Sequence, residues 1–144
     1  MKTSEKGIEL IKKFEDFRSE AYKCPAGVWT IGYGHTGGVK PGDRVTETEA
    51  EGFLRKDVES SEKIVSTLVK KPINQNQFDA LVSFVYNTGS GNFAGSTLLR
   101  KINRNPQDEG IKKEFQKWVY AKGVKLPGLV SRREKESNLY FSLL

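Results

Sequence analysis

Between Asn74 and Gly89 the chain reads NQNQFDALVSFVYNTG. Asparagine is a favoured helix N-cap and glycine a favoured residue just past a helix end, so the two bracket one helix. Inside it, Phe78, Leu81, Val82, Phe84, Val85 and Tyr86 put apolar side chains on most sides. Such a helix cannot lie on a surface; it has to be surrounded. Residues 74–89 are therefore expected to form the centre of a helical core, with the other elements arranged around them.

Those other elements follow from periodicity and punctuation. A first helix is expected from Thr3 or Ser4 to about Phe14–Phe17, with Ile8, Leu10, Ile11 and Phe14 as its apolar stripe and Gly7 as a weak point. From Tyr22 to Val45 the pattern changes. The turns CPAG and GGVKPGD flank the β-branched and aromatic run VWTIGYG, which reads as a small antiparallel sheet of two or three short strands. Thr46 and Glu49 form a capping box that opens a long helix, and Pro72 is expected to end it. Further helices are expected over about Ser96–Asn103, Pro106–Tyr120 and Ser131–Leu143. There is no internal repeat or low-complexity linker. The fold class is α+β in a single domain of 144 residues: an N-terminal helix (1–20), a small β lobe (21–45) and a helical lobe (46–144).

Composition narrows the function classes. No apolar run approaches the roughly 20 residues that span a bilayer. The N-terminal segment MKTSEKGIELIKKFED lacks the continuous apolar stretch of a signal peptide, so synthesis and accumulation in the cytoplasm are expected, without membrane insertion. A single cysteine and a single histidine rule out an internal disulfide and make a zinc site improbable. A net charge of +6 suits polyanions, such as a negatively charged cell wall. Nucleic acid is not the expected partner, because zinc-finger spacing, an RRM signature and a long basic stripe are all missing.

The densest chemistry lies in EDFRSEAYKCPAGVWTIGYGHTG, residues 15–37. Glu15, eight residues, Cys24, five residues, then Thr30 in T-I-G-Y-G-H-T resembles the phage lysozyme or endolysin family, glycoside hydrolase family 24. The likeness continues through LRKDV, NQNQFDALVSFVYNTG, FAGSTLLRKIN, FQKWVYAKG and GLVSRREKE, and so spans nearly the whole chain. The resemblance implies a lysozyme-like fold with a substrate groove between the β lobe and the helical lobe. It implies hydrolysis of the β-1,4 bond between N-acetylmuramic acid and N-acetylglucosamine in peptidoglycan, by a monomer with no metal or cofactor. Release from the host cytoplasm through a separately encoded membrane pore, the holin, is implied as well. One position departs from the pattern: where the best-known phage lysozymes carry Asp, this chain has Cys24.

Each candidate residue also has a chemical reading of its own. Glu15 is the candidate general acid, because a helix C-terminus and the neighbouring Asp16 both disfavour a second negative charge there. For Cys24 three roles stay open: a general base or water-positioning group, a covalent nucleophile, or a spectator. An unperturbed thiol is only about 3% thiolate at pH 7, which weighs against the first two unless its surroundings help. Thr30 offers a hydroxyl that can hold the attacking water. Gly34, like Gly32, suits close approach of backbone to sugar; the resemblance implies substrate-contact positions for Thr36 and Tyr86, with a core role equally open for Tyr86. The resemblance implies that His35 pairs with Asp57 and ties the sheet to the long helix, and that an arginine of SRREK, Arg132 or, one residue on, Arg133, reaches back to Glu15. Trp29 and Trp118 read as packing residues. The competing class is a non-catalytic wall-binding or inhibitory module in which Cys24 marks a lost active site. If the His35–Asp57 pair forms, Asp57→Asn lowers the melting temperature while turnover stays nearly intact; unchanged melting would remove the pair.

Overall fold

The computed structural model describes residues 1–143. In chain order the elements are α1 (Glu5–Glu15), β1 (Arg18–Lys23), β2 (Trp29–Gly32), α2 (Glu47–Leu68), α3 (Gln75–Thr88), α4 (Ser90–Ala94), α5 (Thr97–Arg104), α6 (Ile111–Gln116), β3 (Tyr120–Ala121), β4 (Val124–Lys125) and α7 (Pro127–Phe141). This is the α+β class expected from the sequence.

The core forms around α3. Its residues from Asn76 to Val85 are all buried, and α1, α2 and α7 pack directly against it. Phe84 makes edge contacts with Phe93, Phe115 and Trp118, which brings α4, α6 and the segment after α6 onto the same ring. Both capping boxes are complete. Thr46 Oγ1 accepts from Glu49 N while Glu49 returns to Thr46 N, and Asn74 and Gln77 do the same at α3. Each box satisfies two backbone donors that a helix start leaves open.

The β lobe is a two-stranded antiparallel hairpin with Tyr22 opposite Thr30 and Lys23 opposite Trp29. It starts at Arg18, four residues before the expected Tyr22, because α1 stops at Glu15. A single bridge from Glu20 to Arg44 stands where a third strand was allowed for.

Other boundaries differ from the sequence reading for local reasons. Helix α2 ends at Leu68, not at Pro72, where Asn103 of α5 takes over: its Nδ2 donates to Leu68 O at 3.0 Å and its Oδ1 accepts from Lys70 N at 2.7 Å. The helix expected from Pro106 shrinks to α6. Asn105 and Asp108 side chains accept from Gln107 N and Gly110 N and wind residues 105–110 into turns instead. Helix α7 begins at Pro127, earlier than Ser131, with proline in the first turn where its missing N–H costs nothing. The β3–β4 hairpin was not foreseen. Its turn residues Lys122 and Gly123 both have positive φ, 50° and 78°, the conformation tight hairpins require.

Gly7 turns out to be required by packing. A Cβ there would lie 2.6 Å from Thr3 Cγ2 and 2.8 Å from Asp79 Cγ. Alanine, which normally favours a helix, is expected here to cost about 1–3 kcal/mol by overpacking. A urea midpoint equal to or above the parent's for Gly7→Ala would refute that account.

Candidate active site

Glu15 is the last residue of α1, and Asp16 after it, at φ 53°, turns the chain out of the helix towards β1. Two sides of the carboxyl are fixed by distant parts of the chain. From α7, buried Arg132 donates from Nη1 to Glu15 Oε2 at 2.7 Å. From the β lobe, Gly34 faces Oε1: a Cβ at Gly34 would sit 3.3 Å from Oε1 and 3.7 Å from Tyr86 Oη. The backbone comes this close because Ile31 and His35 exchange two hydrogen bonds of 2.9 Å, curling residues 31–35 into a tight turn with Gly32 and Gly34 at φ 64° and 85°. Tyr86 donates from Oη to Tyr33 O at 3.2 Å and so locks the turn to α3. Burial, then the charges of Glu15 and Asp57, push the Tyr86 hydroxyl well above its ordinary range, with Arg132 opposing; it remains a neutral donor.

These residues surround a cleft of about 360 Å³ lined by Glu15, Gly34, Thr36, Asp57, Tyr86 and Asn87. Past Asp57 and Tyr86 a larger cavity of about 820 Å³ continues between α2 and the α3–α4 junction. His35 Nδ1 lies 2.8 Å from Asp57 Oδ2, and the His35 ring stacks on Phe53 of α2 at 4.4 Å. Asp57 therefore ties the turn to α2 and also faces the cleft, a second position that the sequence reading did not assign to it.

Cys24 and Thr30 lie together at the β1–β2 hairpin, and strand β2 runs from Trp29 through Thr30 to Gly32 and on towards Gly34, which faces Glu15. The turn is closed by Gly27 N donating to Cys24 O at 2.8 Å and Cys24 N donating to Val28 O at 3.0 Å. The Val28 N–H, then that of Ala26, hold the thiol below its ordinary value; the Thr30 hydroxyl and the Gly27 N–H add to this, and burial works against it. Thr30 is buried, with Oγ1 3.0 Å from Val28 O. Its one proton cannot serve both neighbours. Facing a neutral thiol it is given to Val28 O, and facing a thiolate it turns to sulfur.

Three functional groups were missed from the sequence: Asn87 in the cleft, and Ser83 and Glu136 behind Arg132. The available signal was a serine inside an otherwise apolar helix and an R-R-x-x-E spacing that puts both arginines within a turn of one glutamate. Among the described residues no cluster of three or more potential metal ligands occurs, and no helix is long and apolar enough to cross a membrane.

The approach of Gly34 to Glu15 generates a test. Gly34→Ala places a side chain in a left-handed backbone and against Oε1, at a cost of about 1–2 kcal/mol from the backbone alone. Thermal melting should fall, and hydrolytic activity per folded molecule should fall further. Unchanged values for both would show that the turn does not constrain the carboxyl.

The phage lysozyme family model matches residues 12–136. The chain is 45% identical over 146 residues to the endolysin of Acyrthosiphon pisum secondary endosymbiont phage 1, covering 99% of both. It is 43% identical to the endolysin of Bacillus phage B103, covering 99% of this chain and 55% of that protein. Among solved structures it is similar to the muramidase domain of SpmX from Asticaccaulis excentricus, with a TM-score of 0.93 at 39% identity and 99% of both chains covered. A P22 lysozyme mutant gives a TM-score of 0.89 at 38% identity, again over 99% of both. The fold is lysozyme-like, and the chain belongs to the phage lysozyme family.

Proposed function

We propose that this chain is an endolysin: a muramidase that cleaves the β-1,4 bond between N-acetylmuramic acid and N-acetylglucosamine and lyses the host at the end of infection. The observation that carries the reading is the Glu15 carboxyl. One oxygen is clamped by a buried arginine and the other faces a cleft, in a chain similar along its length to endolysins.

Glycoside hydrolysis needs a proton for the departing oxygen and a nucleophile for the opposite face of the sugar. Arg132 engages Oε2, so Oε1 carries the proton and delivers it to the glycosidic oxygen as the C1–O bond breaks. Water attacks C1 from the other face, held by Thr30, and gives its proton to Cys24, with inversion of the anomeric centre. The hairpin turn supplies what a thiol lacks in water, since its N–H groups favour the thiolate that a base requires. The same feature favours a second reading, Cys24 as a covalent nucleophile, which would retain the anomeric configuration. Gly34 lets the backbone approach the sugar, Tyr86 offers an edge to it, and Thr36 an exposed hydroxyl. Arg132, His35 and Asp57 act as supports.

One lysozyme-like domain working as a monomer suffices for this chemistry. The net charge of +6 draws it to an anionic envelope. We place it in the host cytoplasm until a holin opens the way to the cell wall.

Turbidity loss of permeabilised Gram-negative cells tests the acid. Glu15→Gln is expected to slow clearing by about 10²–10⁴-fold, and a mutant as lytic as the parent would leave a non-catalytic wall-binding module as the better reading. A pH profile tests the thiol. Its depressed titration means that base-dependent turnover should rise with pH through a midpoint below the ordinary thiol value of about 8.5. Iodoacetamide inactivation should follow the same curve, and Cys24→Asp should extend activity to lower pH. Full turnover in Cys24→Ala would remove both catalytic roles, while a retained anomer in labelled water would exchange the base for the nucleophile.

A further inference from the structure

Arg132 and Arg133 are neighbours on α7, about 100° apart around the helix, and point to different parts of the cleft. Both return to Glu136, four and three residues on, which is completely buried. Its Oε2 accepts from Ser83 Oγ at 2.6 Å, Arg132 Nε at 3.3 Å and Arg133 Nη2 at 3.3 Å, and its Oε1 lies 2.9 Å from Arg133 Nε. One terminal nitrogen of each arginine reaches a cleft residue, and in Arg133 it is the same Nη2 that meets Glu136. Arg132 Nη1 reaches Glu15 Oε2 at 2.7 Å, and Arg133 Nη2 reaches Asn87 Oδ1 at 2.7 Å.

The second contact has a chemical consequence. A guanidinium has no acceptor, so the Asn87 atom that faces it must be the amide oxygen. The amide nitrogen is then the free end, on a residue that lines the same cleft as Glu15. It is a donor suited to an acetamido carbonyl or a hydroxyl oxygen of an N-acetylated sugar.

We infer that Glu136 is a positioning residue for the hydrolysis, fixing the acid through Arg132 and the sugar-facing amide of Asn87 through Arg133. The two buried guanidiniums share one fully buried carboxyl group, Glu136, set between them. Remove Glu136 and the arginines repel each other with nothing between them to set their angle. Aromatic faces hold each from the side, Phe14 at 5.7 Å from Arg132 Cζ and Phe84 at 5.0 Å from Arg133 Cζ, so the carboxylate selects among few orientations. A carboxylate needed only for packing would have no reason to affect Asn87.

This inference rests on the muramidase reading, and a double-mutant cycle separates the two. kcat and KM are measured on soluble peptidoglycan fragments for the parent, Asn87→Ala, Glu136→Gln and the double variant, using folded protein well below its melting temperature, with Glu15→Gln alongside. Glu136→Gln should raise KM and lower kcat, each by about tenfold. On the Asn87→Ala background it should still lower kcat but no longer raise KM. KM effects that simply multiply, or kinetics unchanged by Glu136→Gln, would overturn the positioning role. If Glu136→Gln does not fold, Ser83→Ala, which removes one of the bonds holding Oε2, takes its place in the cycle with the same non-additivity expected at smaller size. A Glu15→Gln enzyme as active as the parent would overturn the muramidase reading itself, a different result from multiplicative KM effects.

Discussion

A helix with ten consecutive buried residues is the constraint on which the rest of the structure depends. Asn76 to Val85 of α3 include four polar side chains, and each needs a hydrogen-bond partner where water does not reach. Gln77 finds its partner in the capping box. The others find theirs on different elements. Asp79 accepts from Ser4 N at 3.0 Å and from the Ser4 hydroxyl, at the start of α1. Asn76 donates to Ser142 Oγ at 3.0 Å, at the end of α7. Ser83 donates to Glu136 in the middle of α7. The polar residues of the core helix thus fix the start of α1 and the middle and end of α7. Glu15 lies at the far end of the first and Arg132 on the second. Their ion pair, 117 positions apart in sequence, follows from how α1 and α7 are pinned to α3.

What was legible in the sequence is what depends on near neighbours. Thr46 with Glu49, and Asn74 with Gly89, declare helix ends through residues three to fifteen apart, and the structure places those helix starts where the sequence did. Glu15, Cys24 and Thr30, like His35 and Arg132, were nominated by their place in a family pattern. The elements that were missed are too short to show a period: β3 and β4 have two residues each, and α4 has five. Pro106 suggested a helix start, but the side chains of Asn105 and Asp108 compete for the backbone and win. Asn87 was invisible for another reason: its contact arises only when α3 and α7 meet, and only the R-R-x-x-E spacing in α7 hinted at Glu136.

Cysteine at position 24 changes the demands on its surroundings. A carboxylate is ionised at neutral pH without assistance, and a thiol is not. The CPAGV turn supplies assistance: its backbone N–H groups, that of Val28 first and then that of Ala26, lower the thiol's titration, and the buried Thr30 hydroxyl adds to this. Thr30 is also the residue proposed to hold water, so its proton can go to only one of Val28 O, sulfur or water at a time. Base and water-holder are therefore coupled through a single hydroxyl.

The end of α1 shows the same economy at the acid. Helices commonly finish on a glycine in the left-handed region, yet here Asp16 takes φ 53° and ψ 141°, a combination unfavourable for any residue with a Cβ. Such strain persists only where the surroundings over-determine it. Asp16 N still closes the last turn on Lys12 O at 3.2 Å, β1 is paired to β2 from Arg18 onwards, and Arg132 holds Glu15. A glycine would relieve the strain, but it would also widen the range of directions in which the chain can leave the helix. A carboxyl that meets an arginine on one oxygen and is proposed to meet a sugar on the other tolerates little such freedom, since displacement of about 1 Å can cost two orders of magnitude in rate. The strained exit narrows that range and keeps Glu15 aimed into the cleft.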